Sequence, residues 1–171
     1  MINFIAQHKG LVASFAGAAF VIAMIGGAST EVGPWYESLR FPSWRPPNWL
    51  FGPAWTLIYI FTVASAVIAW DRAPDAADHE WLLLLFAINA MLNIAWSPLF
   101  FKLRRPDWAL IEVAFLWLSI LALVHATFSI APLAGWLMTP YFAWVTFASY
   151  LNFTMVRLNR PFAATTGEAR R

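Results

Sequence analysis

"PWYESLRFPSWRPPNWLFGPAW", residues 34–55, holds four tryptophans, five prolines, two phenylalanines and a tyrosine in twenty-two positions. Each proline removes a backbone donor and clashes with the preceding turn, so no continuous helix forms here. The stretch is nevertheless too apolar to lie free in water. Its meaning depends on what surrounds it. The 171-residue chain is 61% hydrophobic and 12% charged, with a mean hydropathy of +0.62, whereas ordinary soluble domains carry about 25% charged residues. That balance belongs to a membrane protein.

Crossing roughly 30 Å of hydrocarbon takes about 20 apolar residues as helix, and five such runs occur, over 9–28, 51–70, 81–101, 108–128 and 133–156. Pro53 falls in the first turn of the second run, where a missing N–H costs little. Asp71-Arg72-Ala73-Pro74-Asp75 closes that run, and Lys102-Leu103-Arg104-Arg105-Pro106 closes the third. Asp107 fits an N-cap for the fourth. Ser129-Ile130-Ala131-Pro132 reads as a tight turn into the fifth. Pro98 and Pro140 lie inside runs; either can kink its helix, and Pro140 can mark a later helix start. The fold expected is an all-α bundle of five transmembrane helices over 1–159, with a long aromatic loop between the first two and an unstructured tail over 160–171. The first run, with Lys9 ahead of it and Gly26-Gly27-Ala28 behind, also has the outline of a secretory leader. Its length suits a span better, and Ala13 with Gly17 and Ser14 with Ala18 form small-xxx-small pairs fit for close helix packing.

Charge sets the orientation. Lys9 and Arg72 fall on one side of the five-span arrangement, and the other nine of the eleven Lys and Arg residues fall on the opposite side: Arg40, Arg45, Lys102, Arg104, Arg105, Arg157, Arg160, Arg170 and Arg171. The positive-inside rule then puts the C-terminus and the aromatic loop in the cytoplasm and the N-terminus outside. A net charge of +2 with basic residues only at run ends gives no nucleic-acid surface. The absence of cysteine excludes disulfides, thiolate chemistry and Cys-ligated zinc.

Polar residues inside the runs are informative, because lipid leaves them no water to bond. Asn89, Asn93 and Ser97 recur every four residues and share one helix face, with Trp96 beside it. Thr139, Thr146, Ser149, Tyr150 and Asn152 are scattered around the fifth run. For all of these, plain interhelical hydrogen bonding is the simple account; Asn93 is the candidate for more. Glu112 is the one acid inside a run, and a local charge balance with Arg104 or Arg105 is favoured over proton-relay chemistry. His8, His79 and His125 are isolated, so no metal or haem ligation is expected. No nucleophile motif, P-loop or dinucleotide fingerprint occurs.

Two readings of the aromatic stretch stay open at this point. Trp35, Trp44, Trp49 and Trp55 can form an interfacial belt. A 22-residue, proline-stiffened segment is better placed folded over the bundle mouth, closing a pocket whose aromatic faces stack on a flat apolar ligand.

"WYESLRFPSWRPPNWLFGPAWTLIY", "LNIAWSPLFF" at 92–101 and "PYFAWVTFASYLNF" at 140–153 resemble, in order and spacing, the signature segments of the TspO/MBR family. These are the tryptophan-rich sensory proteins related to the mitochondrial translocator protein, or peripheral benzodiazepine receptor. The resemblance runs from the first span to about Asn159. It implies a five-helix bundle, usually a homodimer, in a bacterial cell envelope. The ligands implied are porphyrins such as protoporphyrin IX and haem, sterols and synthetic isoquinoline or benzodiazepine-type compounds, with no cofactor required. Bacterial members are linked to tetrapyrrole handling and to oxygen, light or stress responses. Carried over by motif, the ligand site comprises Tyr36, Trp55, Asn93, Trp96, Trp144 and Ala148, the last being the small residue whose size tunes binding in the family. Asn93 is thus indicated by both the polar stripe and the resemblance.

One departure bears on sterols. Animal members carry a cholesterol motif with tyrosine after the Leu-Asn pair, whereas Leu151-Asn152 is followed here by Phe153 and Tyr150 lies one residue too far from Arg157. Three functions remain open: a porphyrin-binding receptor or transporter, a light-dependent protoporphyrin-degrading enzyme with Trp55 and Trp144 as candidate oxidisable residues, and a dimeric membrane scaffold.

Overall fold

The structure is a computed structural model and describes residues 7–162. Regular structure among the described residues is entirely helical. Five long helices, α1 (Lys9–Ala28), α3 (Phe51–Arg72), α4 (Ala76–Ser97), α5 (Pro106–Ile130) and α6 (Pro132–Asn159), are joined by short connections except between α1 and α3. That longer connection is the proline-rich stretch. It contains only a four-residue helix α2 (Pro34–Glu37) and a 3₁₀ turn at Asn48–Leu50.

Prolines and caps set the boundaries. Pro106 and Pro132 each occupy the first turn of their helices, where the missing N–H was unpaired anyway. The Asp75 side chain accepts from the Asp78 N–H at 3.0 Å and caps α4. His79 then staples the α3–α4 turn, its ring nitrogens 2.6 Å from the Asp75 carbonyl and 3.0 Å from the Trp70 carbonyl. Asp107 is not the N-cap of α5. Arg105 holds that position, and Asp107 lies within the first turn, accepting from Arg105 Nε at 2.8 Å and Nη2 at 2.6 Å. The cause is Pro106, whose fixed φ starts the helix two residues earlier, and an acid in the first turn still meets the positive end of the helix dipole.

The two internal prolines act differently. Pro140 lies within a continuous α6 and does not start it. At Pro98 the regular ladder gives way to a π turn over Pro98–Lys102, in which the Leu103 N–H reaches back to the Pro98 carbonyl at 2.9 Å. Arg104 follows at φ +54°, turning the chain sharply into α5.

The most extensive contact is between α5 and α6, flanked by α3 on α6 and α4 on α5. Leu82, Ile120, Leu123 and Met138 are fully buried at its centre. The turn between α5 and α6 is so tight that a Cβ on Gly135 would meet the Phe128 ring. In contrast α1 packs on α3 and α4 and buries none of its residues. Its small-xxx-small pairs are not used for packing within the chain. Ala13, Ser14, Gly17 and Ala18 are exposed, and a Cβ on Gly17 would meet nothing within 4 Å.

Large apolar side chains cover the outside, among them Phe20, Ile60, Met91, Ile111 and Phe115, each more than half exposed. A water-soluble protein does not carry such a surface. Among the described residues, four helical segments are long and apolar enough to cross a membrane: Lys9–Ala28, Asn48–Arg72, Ala76–Lys102 and Pro106–Ile130. The chain is therefore a multi-pass membrane helical bundle with an aromatic-rich loop after its first helix. The helix expected as a fifth span, α6, is present and is 28 residues long, about 42 Å at 1.5 Å per residue. It is less apolar than the other four because Thr139, Thr146, Ser149, Tyr150 and Asn152 are distributed along it.

Candidate ligand cavity

The proline-rich loop is fastened across one end of the bundle. Asn159, the last residue of α6, accepts from the Arg40 N–H at 2.8 Å and donates to the Arg40 carbonyl at 2.9 Å. Trp44 stacks on Tyr150 of α6, with ring centroids 5.3 Å apart and planes 15° from parallel. Tyr36 packs against Phe41 at 5.0 Å and against Phe101 of the π turn at 5.5 Å. The Arg45 guanidinium lies 3.9 Å from the centre of the Phe41 ring, a cation–π contact that stiffens the same corner. Burial pushes the Tyr36 phenol above its ordinary range, with Arg45 opposing the shift. Proline stiffening leaves these aromatic side chains as the loop's packing elements, so it behaves as a lid with its own small core.

Not all the tryptophans join the lid. Trp49 is 70% exposed and points away from the bundle, as an interfacial anchor does.

Beneath the lid lies a cavity of about 510 Å³, and Tyr36, Trp55, Asn93, Trp96, Trp144 and Ala148 all line it. They come from α2, α3, α4 and α6, separated by up to 112 positions, and only the packing of the bundle brings them around one cavity. Its volume is in the range of small-molecule sites, ~300–1,000 Å³. Aromatic pairs stand around it: Phe51 packs edge-on to Trp144 at 5.6 Å, Trp55 lies 5.5 Å from Tyr59, and Trp96 stacks on Phe100 at 5.0 Å. The indole N–H groups of Trp96 and Trp144 are buried with no acceptor, although buried donors are normally paired.

Polar side chains converge at the deep end. Tyr59 donates to Asn93 Oδ1 at 3.2 Å, and Asn93 Nδ2 donates to the Tyr141 hydroxyl at 2.8 Å. Tyr141 donates to Asn89 Oδ1 at 3.3 Å, and Asn89 Nδ2 donates to Ser119 Oγ at 2.9 Å. Ser97, third in the α4 stripe, receives a bond from Thr30 at the end of α1 at 3.4 Å. Tyr59, Tyr141 and Ser119 were absent from the sequence-derived site. A tyrosine in an apolar run carries no periodic signal of its own, and its partner is set by a helix distant in sequence.

Other polar residues of the fifth run play the simpler part. Thr146 accepts from the Trp117 indole at 2.8 Å, while Thr139 and Ser149 bond back to their own helix. Asn152 brackets the first turn of α5, with Nδ2 3.1 Å from the Pro106 carbonyl and Oδ1 3.2 Å from the Leu110 N–H.

Glu112 departs from its expected charge balance. It is buried, and neither carboxyl oxygen has a hydrogen-bond partner. Arg105 is engaged by Asp107, and the left-handed turn at Arg104 carries its guanidinium to the Trp35 ring, 5.8 Å from the ring centre.

Comparison with known proteins follows the same outline. A TspO/MBR family model matches residues 14–158. The chain is similar to Protein CrtK of Rhodobacter capsulatus, with 38% identity over 82% of this chain and 89% of that one. It is similar to Tryptophan-rich protein TspO of Chlorobaculum tepidum, with 35% identity over 87% and 90%. Translocator protein of Homo sapiens is 33% identical over 73% of this chain and 75% of its own. From the lidded aromatic cavity, the helical membrane bundle and a match over nearly the whole chain, it follows that this protein belongs to the TspO/MBR family.

Proposed function

We propose that this membrane receptor binds porphyrins, protoporphyrin IX or haem, and related flat apolar molecules in the cavity beneath the aromatic lid, and that it acts in tetrapyrrole handling or in sensing oxygen, light or stress. The observation that carries this reading is the convergence of Tyr36, Trp55, Asn93, Trp96, Trp144 and Ala148 around one cavity of about 510 Å³. Aromatic faces give a flat ligand stacking area, with ring pairs worth ~0.5–1.5 kcal/mol beyond area burial. The unpaired indole N–H groups of Trp96 and Trp144 favour a ligand with acceptor atoms at its rim.

The topology proposed with it has α6 as a fifth span, the lid and C-terminus in the cytoplasm and the N-terminus outside. Its support is that Arg40, Arg45, Arg104 and Arg105 collect at the lidded end through the Asn159–Arg40 bonds and the Arg104–Trp35 contact. We also propose that the chain works as a homodimer in a bacterial envelope, as the family resemblance implies. The tail from 163 onward lies outside the described residues.

The test is a tryptophan-fluorescence titration of the detergent-purified protein with protoporphyrin IX in the dark, beside the Trp55→Phe, Asn93→Ala and Ala148→Phe variants. Saturable quenching weakened by Ala148→Phe supports the cavity as the site. Linear quenching identical in all variants means that porphyrin only partitions into the micelle, and a scaffold role takes precedence. Repeating the titration under illumination separates binding from degradation: loss of porphyrin absorbance faster than in buffer, and slowed in Trp55→Phe or Trp144→Phe, would mark the enzymatic reading.

A further inference from the structure

The hydrogen bonds that lead from Tyr59 and Asn93, in the cavity lining, back to Ser119 all run the same way. Tyr59 donates to Asn93, Asn93 to Tyr141, Tyr141 to Asn89 and Asn89 to Ser119, and Ser119 donates in turn to the Leu116 carbonyl at 2.7 Å. That direction has a physical origin at the far end. A backbone carbonyl only accepts, so the Ser119 proton is committed to it and Ser119 Oγ is left to accept from Asn89. The Asn89 amide must then turn its N–H to Ser119 and its oxygen to Tyr141. The Tyr141 proton is consequently spent on Asn89, its oxygen accepts from Asn93 Nδ2, and Asn93 Oδ1 faces Tyr59.

We infer that Ser119, Asn89 and Tyr141 are positioning residues: they pass the polarity of the Leu116 carbonyl to Asn93 and fix which way its amide faces at the cavity wall. An asparagine amide offers two N–H groups and two lone pairs. One of each is used by Tyr141 and Tyr59, so one N–H and one lone pair of fixed placement remain for a ligand. The chain does not conduct protons, because two of its members are carboxamides, which cannot hand a proton on without losing amide resonance. Its output is orientation. Asn93 therefore discriminates between ligands that present a matched polar edge and ligands of the same shape without one. This inference rests on the cavity being the ligand site, but its first test does not.

That test uses the full chain in detergent with ¹⁵N-labelled asparagine side chains and no ligand. Ser119→Ala, two side chains removed from Asn93, is expected to shift the Asn93 Nδ2 resonances and speed their solvent exchange, and Ser119→Thr, which keeps the hydroxyl, to restore them. Should Ser119→Ala move only the Asn89 signals, the inference is overturned, whatever the cavity binds. The second arm compares protoporphyrin IX with etioporphyrin, which has the same ring and only alkyl substituents. Ser119→Ala and Tyr141→Phe are expected to weaken protoporphyrin IX about tenfold, with etioporphyrin changed much less. Equal losses for both porphyrins, tracking a fall in melting temperature, indicate a purely structural chain and overturn the inference. If wild-type protein binds neither porphyrin while the resonances respond as expected, the porphyrin reading fails and the orientation device stands.

Discussion

Asn159 and Arg40, 119 residues apart in sequence, are locked by two hydrogen bonds of 2.8 and 2.9 Å between one side-chain amide and one backbone unit. Because the amide matches both the N–H and the carbonyl of Arg40, it substitutes for a strand partner and holds the lid at a single register. Asn159→Ala removes both bonds at a partly solvated site. The expected cost is roughly 1–2 kcal/mol, concentrated in the loop. Hydrogen exchange at the amides of 36–45 should accelerate while exchange in α5 stays unchanged. Uniform acceleration throughout the bundle would instead make Asn159 part of the global core.

The α5–α6 hairpin depends on a missing methyl group. A Cβ at Gly135 would fall far inside contact distance of the Phe128 ring. Overpacking of this kind typically costs about 1–3 kcal/mol. Gly135→Ala should therefore lower the melting temperature clearly, even though alanine is the better helix former. Combining it with Phe128→Leu should recover part of the loss, and the pair measured as a double-mutant cycle gives the coupling directly.

Ala148 lies on the α6 wall of the cavity. A phenylalanine there fills ligand space without disturbing the fully buried core. Ala148→Phe should weaken protoporphyrin IX by at least about tenfold, or ~1.4 kcal/mol, while the melting temperature of the ligand-free protein holds or rises. Unchanged affinity in the dark titration would move the binding site elsewhere.

Glu112 is a buried acid whose carboxyl oxygens have no partner. A buried polar group left without a hydrogen-bond partner costs ~1–3 kcal/mol. Glu112→Leu should accordingly leave the melting temperature in micelles unchanged or higher. A marked fall would show that the acid has a stabilising partner in the membrane-embedded protein.

How much of this was legible in advance differs by residue. The hydropathy runs located the five long helices to within a few residues, because a long apolar run bounded by charge and proline pairs its backbone bonds within itself; α4 alone begins five residues earlier than its run, where the Asp75 cap sets the start. The motif residues from Tyr36 to Ala148 line one cavity, and the stripe Asn89, Asn93, Ser97 faces the bundle since unpaired amides are costly against hydrocarbon. Asp107 and Glu112 went otherwise than expected, for one reason. Pro106 advances the start of α5 by two residues, which gives Arg105 to Asp107 and leaves the Glu112 carboxyl oxygens without a partner.

The sequence by itself determined that the chain is a helical membrane protein with a rigid aromatic insert, since apolar length and proline placement act locally and need no knowledge of neighbours. Only the tertiary structure decided that Trp44 covers α6 while Trp49 points outward, that Tyr59 and Tyr141 meet across Asn93, and that the small residues of α1 stay exposed. Those outcomes depend on which helix faces stand opposite one another. Local propensity carries no information about the partner of a tyrosine hydroxyl, and although the Ser119–Leu116 bond is local to one helix, only the packed bundle lets its direction pass through Asn89 and Tyr141 to Asn93.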